Sequence, residues 1–111
     1  MAGKNIPLRA TGTAAIATSL TPTGPTELVC VKLHLSAAGG SAENFTVTVN
    51  SATDAVYDTV LFSQDMTTVT DLCWVPDRPI PIVNNDVIDF AYANSNTRTY
   101  GLEIIYRRVG V

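Results

Sequence analysis

The stretch Val87-Ile88-Asp89-Phe90-Ala91-Tyr92-Ala93, then Asn94-Ser95-Asn96, then Thr99-Tyr100-Gly101-Leu102-Glu103-Ile104-Ile105-Tyr106-Arg107, decides how the whole chain is read. Large apolar residues recur at every second position in both halves. Ile88, Phe90 and Tyr92 fall on one side of an extended segment, with Val87, Asp89 and Ala91 on the other. Past the break, Tyr100, Leu102, Ile104 and Tyr106 alternate with Gly101, Glu103, Ile105 and Arg107 in the same way. Asn and Ser accept left-handed backbone angles and bond their own main chain, so 94–96 reads as a tight reversal. The stretch is therefore expected to be a β-hairpin whose two apolar faces share one core, and it carries no catalytic apparatus.

Working outward, the same period of two recurs along most of the chain. From Glu27 to Ser36, Val29, Val31, Leu33 and Leu35 alternate with Cys30, Lys32, His34 and Ser36. Phe45, Val47 and Val49 alternate with Thr46, Thr48 and Asn50 in a further half-buried strand. Strands are also expected over Val56–Phe62 and Val69–Val75, the latter with Leu72 and Trp74 opposite Asp71 and Cys73. Pro81 allows Ile80–Val83 at most an edge strand, and Thr11–Ser19, small and alanine-rich, reads as a weak edge strand too. Breaks fall at Thr21–Pro25, Ala37–Ser41, Asn50–Asp54 and Pro76–Pro79.

Seven or eight short strands with turn signals between them describe an all-β, single-domain antiparallel β-sandwich, jelly-roll-like in arrangement. An immunoglobulin-like sandwich comes second, because Trp74 directly follows Cys73 instead of standing between the two cysteines. A chain of 111 residues has room for one modest core. Residues 1–10 are set apart as an extended N-terminal arm, since Pro7 bars a helix and Ile6 and Leu8 have no helical continuation; residues 11–111 form the sandwich domain. Arms of this type dock on neighbours, which makes Ile6, Leu8 and Arg9 the candidate interface residues.

Composition excludes several classes of function. A net charge of −3 and a pI near 4.8 repel a phosphate backbone, so no nucleic-acid partner is expected. No run of residues is apolar for long enough to span a membrane, and the N-terminus lacks the apolar core of a secretory signal, so a soluble, non-exported product is expected. Cys30 and Cys73 are read as free thiols, and the sequon Asn44-Phe45-Thr46 as the start of a strand.

Candidate chemistry is sparse. His34 is the only histidine, and four residues along a strand separate it from Cys30 by about 13 Å, too far for a Cys–His dyad. One histidine without a supporting cluster gives no zinc site. Asp65, Asp71, Asp77, Asp86 and Asp89 lack the spacing of a calcium loop, and turn capping accounts for Asp77 and Asp86. No phosphate or dinucleotide loop is present. No enzyme, metal or cofactor is therefore expected. Tyr57, Trp74, Tyr92, Tyr100 and Tyr106 are the residues from which a sugar-stacking surface would be built, although three of them alternate in register with core positions.

Three segments resemble small β-sandwich structural proteins of tailed bacteriophage virions. They are Arg9-Ala10-Thr11-Gly12-Thr13-Ala14-Ala15-Ile16-Ala17, Tyr57-Asp58-Thr59-Val60-Leu61, and Asn85 to Asn94 together with Tyr100-Gly101-Leu102-Glu103-Ile104. The resemblance implies a capsid decoration or cement protein that binds the outer capsid surface and stabilises it. Its implied partners are the major capsid protein and further copies of itself, as a homotrimer, and its implied location is the virion surface after synthesis in the host cytoplasm. The alternative is a carbohydrate-binding or adhesin module of a phage tail or head fibre.

Overall fold

A computed structural model describes residues 2–83 and 85–109. Nine strands are present among them: β1 (Ala2–Gly12), β2 (Ile16–Leu20), β3 (Thr26–Leu35), β4 (Asn44–Asn50), β5 (Thr59–Asp65), β6 (Asp71–Trp74), β7 (Ile80–Ile82), β8 (Val87–Tyr92) and β9 (Tyr100–Val109). One sheet runs β1-β9-β3-β6, and β7 also pairs with β3; the other runs β2-β8-β4-β5. Every pairing is antiparallel. β6 lies along residues 31–34 of β3 and β7 along residues 26–28, so the two occupy a single edge position interrupted by 75–79. Counted that way, two four-stranded sheets exchange the chain as a jelly roll does, and the expected sandwich is the fold.

The opening hairpin is the main correction. β8 sits in one sheet between β2 and β4, β9 sits in the other between β1 and β3, and the two do not pair. Residues 93–99 carry the chain across the sandwich instead of folding it back within a sheet. The faces were assigned correctly all the same. Ile88, Phe90 and Tyr92 from β8 and Tyr100, Leu102 and Ile104 from β9 are buried, and they meet from opposite sheets. A period of two states which side chains point inward, and the two geometries bury the same set.

The N-terminal segment is the second correction. Residues 2–10 are extended, but as part of β1, which pairs with β9 from Ala2–Val109 to Gly12–Tyr100. The boundary between arm and domain at residue 10 falls inside this strand. β1 is the ninth strand, beyond the seven or eight expected, and the strand read over Thr11–Ser19 divides at Thr13–Ala15 into the end of β1 and the start of β2. Similarly, Val56 and Tyr57 belong to a one-turn 3-10 helix (Ala55–Tyr57) capped by Asp54, and β5 begins only at Thr59.

A bulge in β3 shifts the expected core by one residue. The register with β9 slips between Leu28 and Cys30, so Thr26 and Leu28 point inward before it and Val31, Leu33 and Leu35 after it. Val29, expected inside, takes the bulge position and is only half-buried.

Among the described residues the core is one cluster in which Phe45, Phe90, Leu28, Leu33, Leu35, Met66, Ile88, Leu102 and Ile104 are fully buried. At one end the loops are sewn together. The amide of Asn94, itself 3% exposed, donates to the carbonyls of Thr13 at 3.1 Å, Ala14 at 3.0 Å and Arg98 at 2.9 Å, while its oxygen accepts from the Arg98 N–H at 3.0 Å. Asn94 holds φ at +50°, a left-handed value that asparagine tolerates. Gly39 lets the neighbouring loop close in, since a methyl there would stand 2.5 Å from the Met66 carbonyl oxygen and the Tyr92 hydroxyl.

Phe90→Ala is expected to lower unfolding free energy in urea titrations by about 3–5 kcal/mol, the range for emptying a fully packed aromatic site. Asn94→Ala leaves buried carbonyls and the Arg98 N–H without their partner, so a loss of roughly 3 kcal/mol is expected, against about 1 kcal/mol or less for the exposed Asn96→Ala.

Candidate interaction surface

The outer face of the β1-β9-β3-β6 sheet carries most of the ion pairs. Register alone places them, because Arg9, Glu103, Lys32 and Cys73 lie in one row across the four strands, and Thr11, Gly101, His34 and Asp71 in the next. Glu103 is the hub. Its two oxygens accept from Arg9 Nε at 2.6 Å and from Lys32 Nζ at 3.4 Å. The Arg9 guanidinium holds the Glu103 carboxyl below the usual glutamate range, with Lys32 adding to the effect. His34 Nδ1 bonds Asp71, and Arg107 Nε donates to Glu27 at 2.8 Å. Because Gly101 has no side chain, the face dips there into a shallow depression of about 340 Å³ edged by Lys32, His34, Asp71, Cys73 and Glu103.

Within that depression His34 is bonded to Asp71 and not to Cys73. A nucleophile needs its base within about 3 Å, and no hydrogen bond joins His34 to either cysteine among the described residues. Cys30 is half-buried, and burial pushes its thiol up, away from the reactive thiolate. Among the described residues no three of His, Cys, Asp and Glu converge as metal ligands do. Of the aspartates singled out in the sequence, Asp65 and Asp86 accept from loop N–H groups, Asp71 bonds His34 and Asp89 accepts from Ser19 Oγ at 2.7 Å, while Asp54 and Asp58 add two further turn caps. Asp54 accepts from Val56 N, Asp58 from Ser51 N and Asp86 from Ala52 N. Asp65 accepts from both the hydroxyl and the N–H of Thr67, and these bonds hold its carboxyl below the ordinary range.

The sequence-assigned interface residues separate by face. Ile6 and Leu8 are half-buried, with Leu8 against the core, whereas Arg9 is exposed on the opposite side of β1 and tied to Glu103. They therefore do not form one patch. The aromatic residues separate too. Tyr92 and Tyr100 are buried, Tyr106 is packed against the core, and Trp74 stacks on Phe62 with ring centroids 4.9 Å apart. That stack joins the two sheets where β5 and β6 face each other. Of these aromatics only Tyr57 is exposed, so no set of neighbouring exposed aromatics is found among the described residues.

An unexpected feature lies along the flank formed by the free edges of β5 and β6. The exposed large apolar side chains are Val56, Tyr57, Val60, Val75 and Val83, between 59% and 79% accessible. They belong to the β4–β5 connection, to β5, to the β6–β7 break and to the residue after β7, and the register turns Val60, opposite the outward Thr48, to the outer face of one sheet while Val75 follows the inward Trp74 in the other. Beneath them Leu61, Phe62, Val69, Leu72, Trp74 and Ile80 are half-buried and packed on the core. Residues 51–86 also hold six Asp against the single cation Arg78. The alternation within β5 and the Val75–Pro79 break are visible in sequence. Their adjacency depends on the sandwich closing.

Arg9→Ala should raise the Glu103 carboxyl toward its ordinary value of 4.5, read by carbon-detected NMR titration. The sign is that of a lowered carboxylate: the pairing stabilises the fold above the ordinary value and is lost as the pH falls through the lower folded one. In Arg9→Ala that acid-side loss should shrink, while stability near neutrality changes little because water screens a surface pair. Comparison of the sequence with protein-family models and with curated proteins gave no match.

Proposed function

We propose that this chain is a non-enzymatic structural protein of a tailed-phage virion, a decoration or cement protein that binds the outer capsid surface and stabilises it. The observation that supports the proposal is the set of exposed valine and tyrosine side chains on the β4–β5 connection, β5 and the β6–β7 segment. Exposed apolar side chains of this size gain from burial against a protein partner. The segment likenesses at residues 9–17, 57–61, and 85–94 with 100–104 supply the virion setting, with the major capsid protein as partner and like copies as neighbours. The mechanism is interfacial: a domain that deforms little, fastened across adjoining capsid subunits, opposes their separation by the free energy of the surfaces it buries.

The carbohydrate-binding alternative draws less support, because its aromatic residues are buried, stacked on one another or isolated. Particles from the source phage are the test. Mass spectrometry should find the chain in purified particles, cryo-electron microscopy should place it on the capsid exterior, and particles lacking it should lose their contents at lower temperature. Particles without the chain in any preparation would remove the proposal, as would glycan-array binding that vanishes in Tyr57→Ala.

A further inference from the structure

We infer that the end of the sandwich carrying residues 51–58 and 83–86 is a docking tip, and that its occupant is a protein surface with an apolar cleft rimmed by lysine or arginine. The inference rests on the proposed function and deepens it, naming the part turned toward the capsid and the chemistry that the capsid surface offers in return. Position is the first argument. The connections 21–25, 51–58 and 83–86 share this end, whereas 13–15, 36–43, 66–70 and 93–99 share the other. Of the five exposed large apolar residues, Val56, Tyr57 and Val83 belong to the first end and none belongs to the second. The second end is closed by the polar ties of Asn94, Asn96 and Arg98.

The second argument is that the tip is held in shape. Asn50 pairs with Val87, which sets the base of the 51–58 loop beside the 83–86 turn. The Ala52 N–H donates to Asp86 at 2.9 Å, and the Asp86 N–H donates to the Val83 carbonyl at 3.0 Å, so loop and turn are tied together. Within the loop, the Ser51 N–H donates to Asp58 at 2.8 Å and the Val56 N–H to Asp54 at 3.1 Å. The 3-10 turn closes through the Tyr57 and Asp58 N–H groups, on the carbonyls of Asp54 and Ala55, each at 3.0 Å. These bonds use backbone groups and aspartates, and the side chains of Val56 and Tyr57 are left in water. A segment ordered before contact loses less freedom on binding.

Charge is the third argument, and it selects the occupant. Asp54, Asp58 and Asp86 each commit one oxygen to the bonds above, and none of the three enters an ion pair among the described residues. The cations of this end, Lys4, Arg107 and Arg108, lie on β1 and β9 in the other sheet, and Arg107 is tied to Glu27. The apolar tip therefore stands among carboxylates. Such a surface steers a basic partner toward itself and opposes a second copy of the same tip, whose carboxylates would face its own.

Particles prepared without the chain are the probe, with purified chain added back and its association and release followed by biolayer interferometry. Val56→Ser/Tyr57→Ser, altered at exposed positions only, should keep its circular dichroism and melting temperature and bind at least about thirtyfold more weakly, through faster release, as loss of a central interface aromatic does. Asp54→Asn/Asp86→Asn keeps an oxygen for each cap and removes the charge. It should associate about tenfold more slowly at low salt and lose the salt dependence of the wild type. Val75→Ser, at the β6–β7 break, should bind as the wild type does. A wild-type chain that binds no particle would remove the proposed function and this inference with it. Binding that survives Val56→Ser/Tyr57→Ser, or that Val75→Ser weakens equally, would overturn the inference and leave the function standing. Binding indifferent to salt and to Asp54→Asn/Asp86→Asn would overturn the basic partner. A wild-type dimer that Val56→Ser/Tyr57→Ser abolishes would make a second copy the occupant and overturn the inference as well.

Discussion

The structure depends on how one connection, residues 93–99, is pinned. It joins β8, central in one sheet, to β9, central in the other, so every other strand is placed relative to those two. Asn94 does the pinning. One side-chain amide ties the start of this connection to the β1–β2 turn through Thr13 and Ala14, and to its own far end through Arg98. Arg98 Nε in turn donates to Ala38 at 2.8 Å and Asn96 Nδ2 to Gly39 at 2.7 Å, extending the ties to the β3–β4 loop. Buried polar groups are costly unless satisfied, so a loop end bonded in this way has few alternatives of similar energy.

Between the sheets, stability is a matter of apolar burial. The large inward side chains come from both inner faces in comparable numbers, and fully buried residues of this size contribute about 1.5–3 kcal/mol each against the entropy of ordering the chain. The outward faces contribute little to that balance. The Arg9–Glu103–Lys32 group lies at the surface, with the Arg9 side chain 71% accessible, where water screens such pairs. The polar residues that first attract attention, His34, Asp71 and Cys73 beside the Gly101 depression, are neighbours because sheet register makes them so. They share a surface, and of the three only His34 and Asp71 are joined by a hydrogen bond.

The two flanks of the sandwich differ in chemistry. On the β1–β2 side the outermost strand presents Lys4 and Arg9 with few exposed apolar groups. On the β5–β6 side the Phe62–Trp74 stack closes the core between edges that carry the exposed Val60 and Val75.

Much of this architecture is written in the order of side chains. The period of two in residues 87–93 and 100–107 determines which of them face inward, and the prolines and glycines at 21–25, 37–41 and 76–79 mark where strands stop. The sandwich class follows, because amphipathic strands of that length must bury one face against another sheet. Where the sequence reading failed, the missing information was nonlocal. A hairpin and a crossover bury the same residues, so Ile88, Phe90 and Tyr92 cannot reveal whether they pair with β9 or face it. The bulge at Val29 depends on its partner's register, and the incorporation of residues 2–12 as β1 depends on β9 having a free edge. The flank was invisible for the same reason: Val56, Val60, Val75 and Val83 are isolated valines along the chain. Alternation is a property of neighbouring residues and can be read in one dimension, but strand partners and surface patches are set by which distant segments close together, and only the folded sandwich decides that.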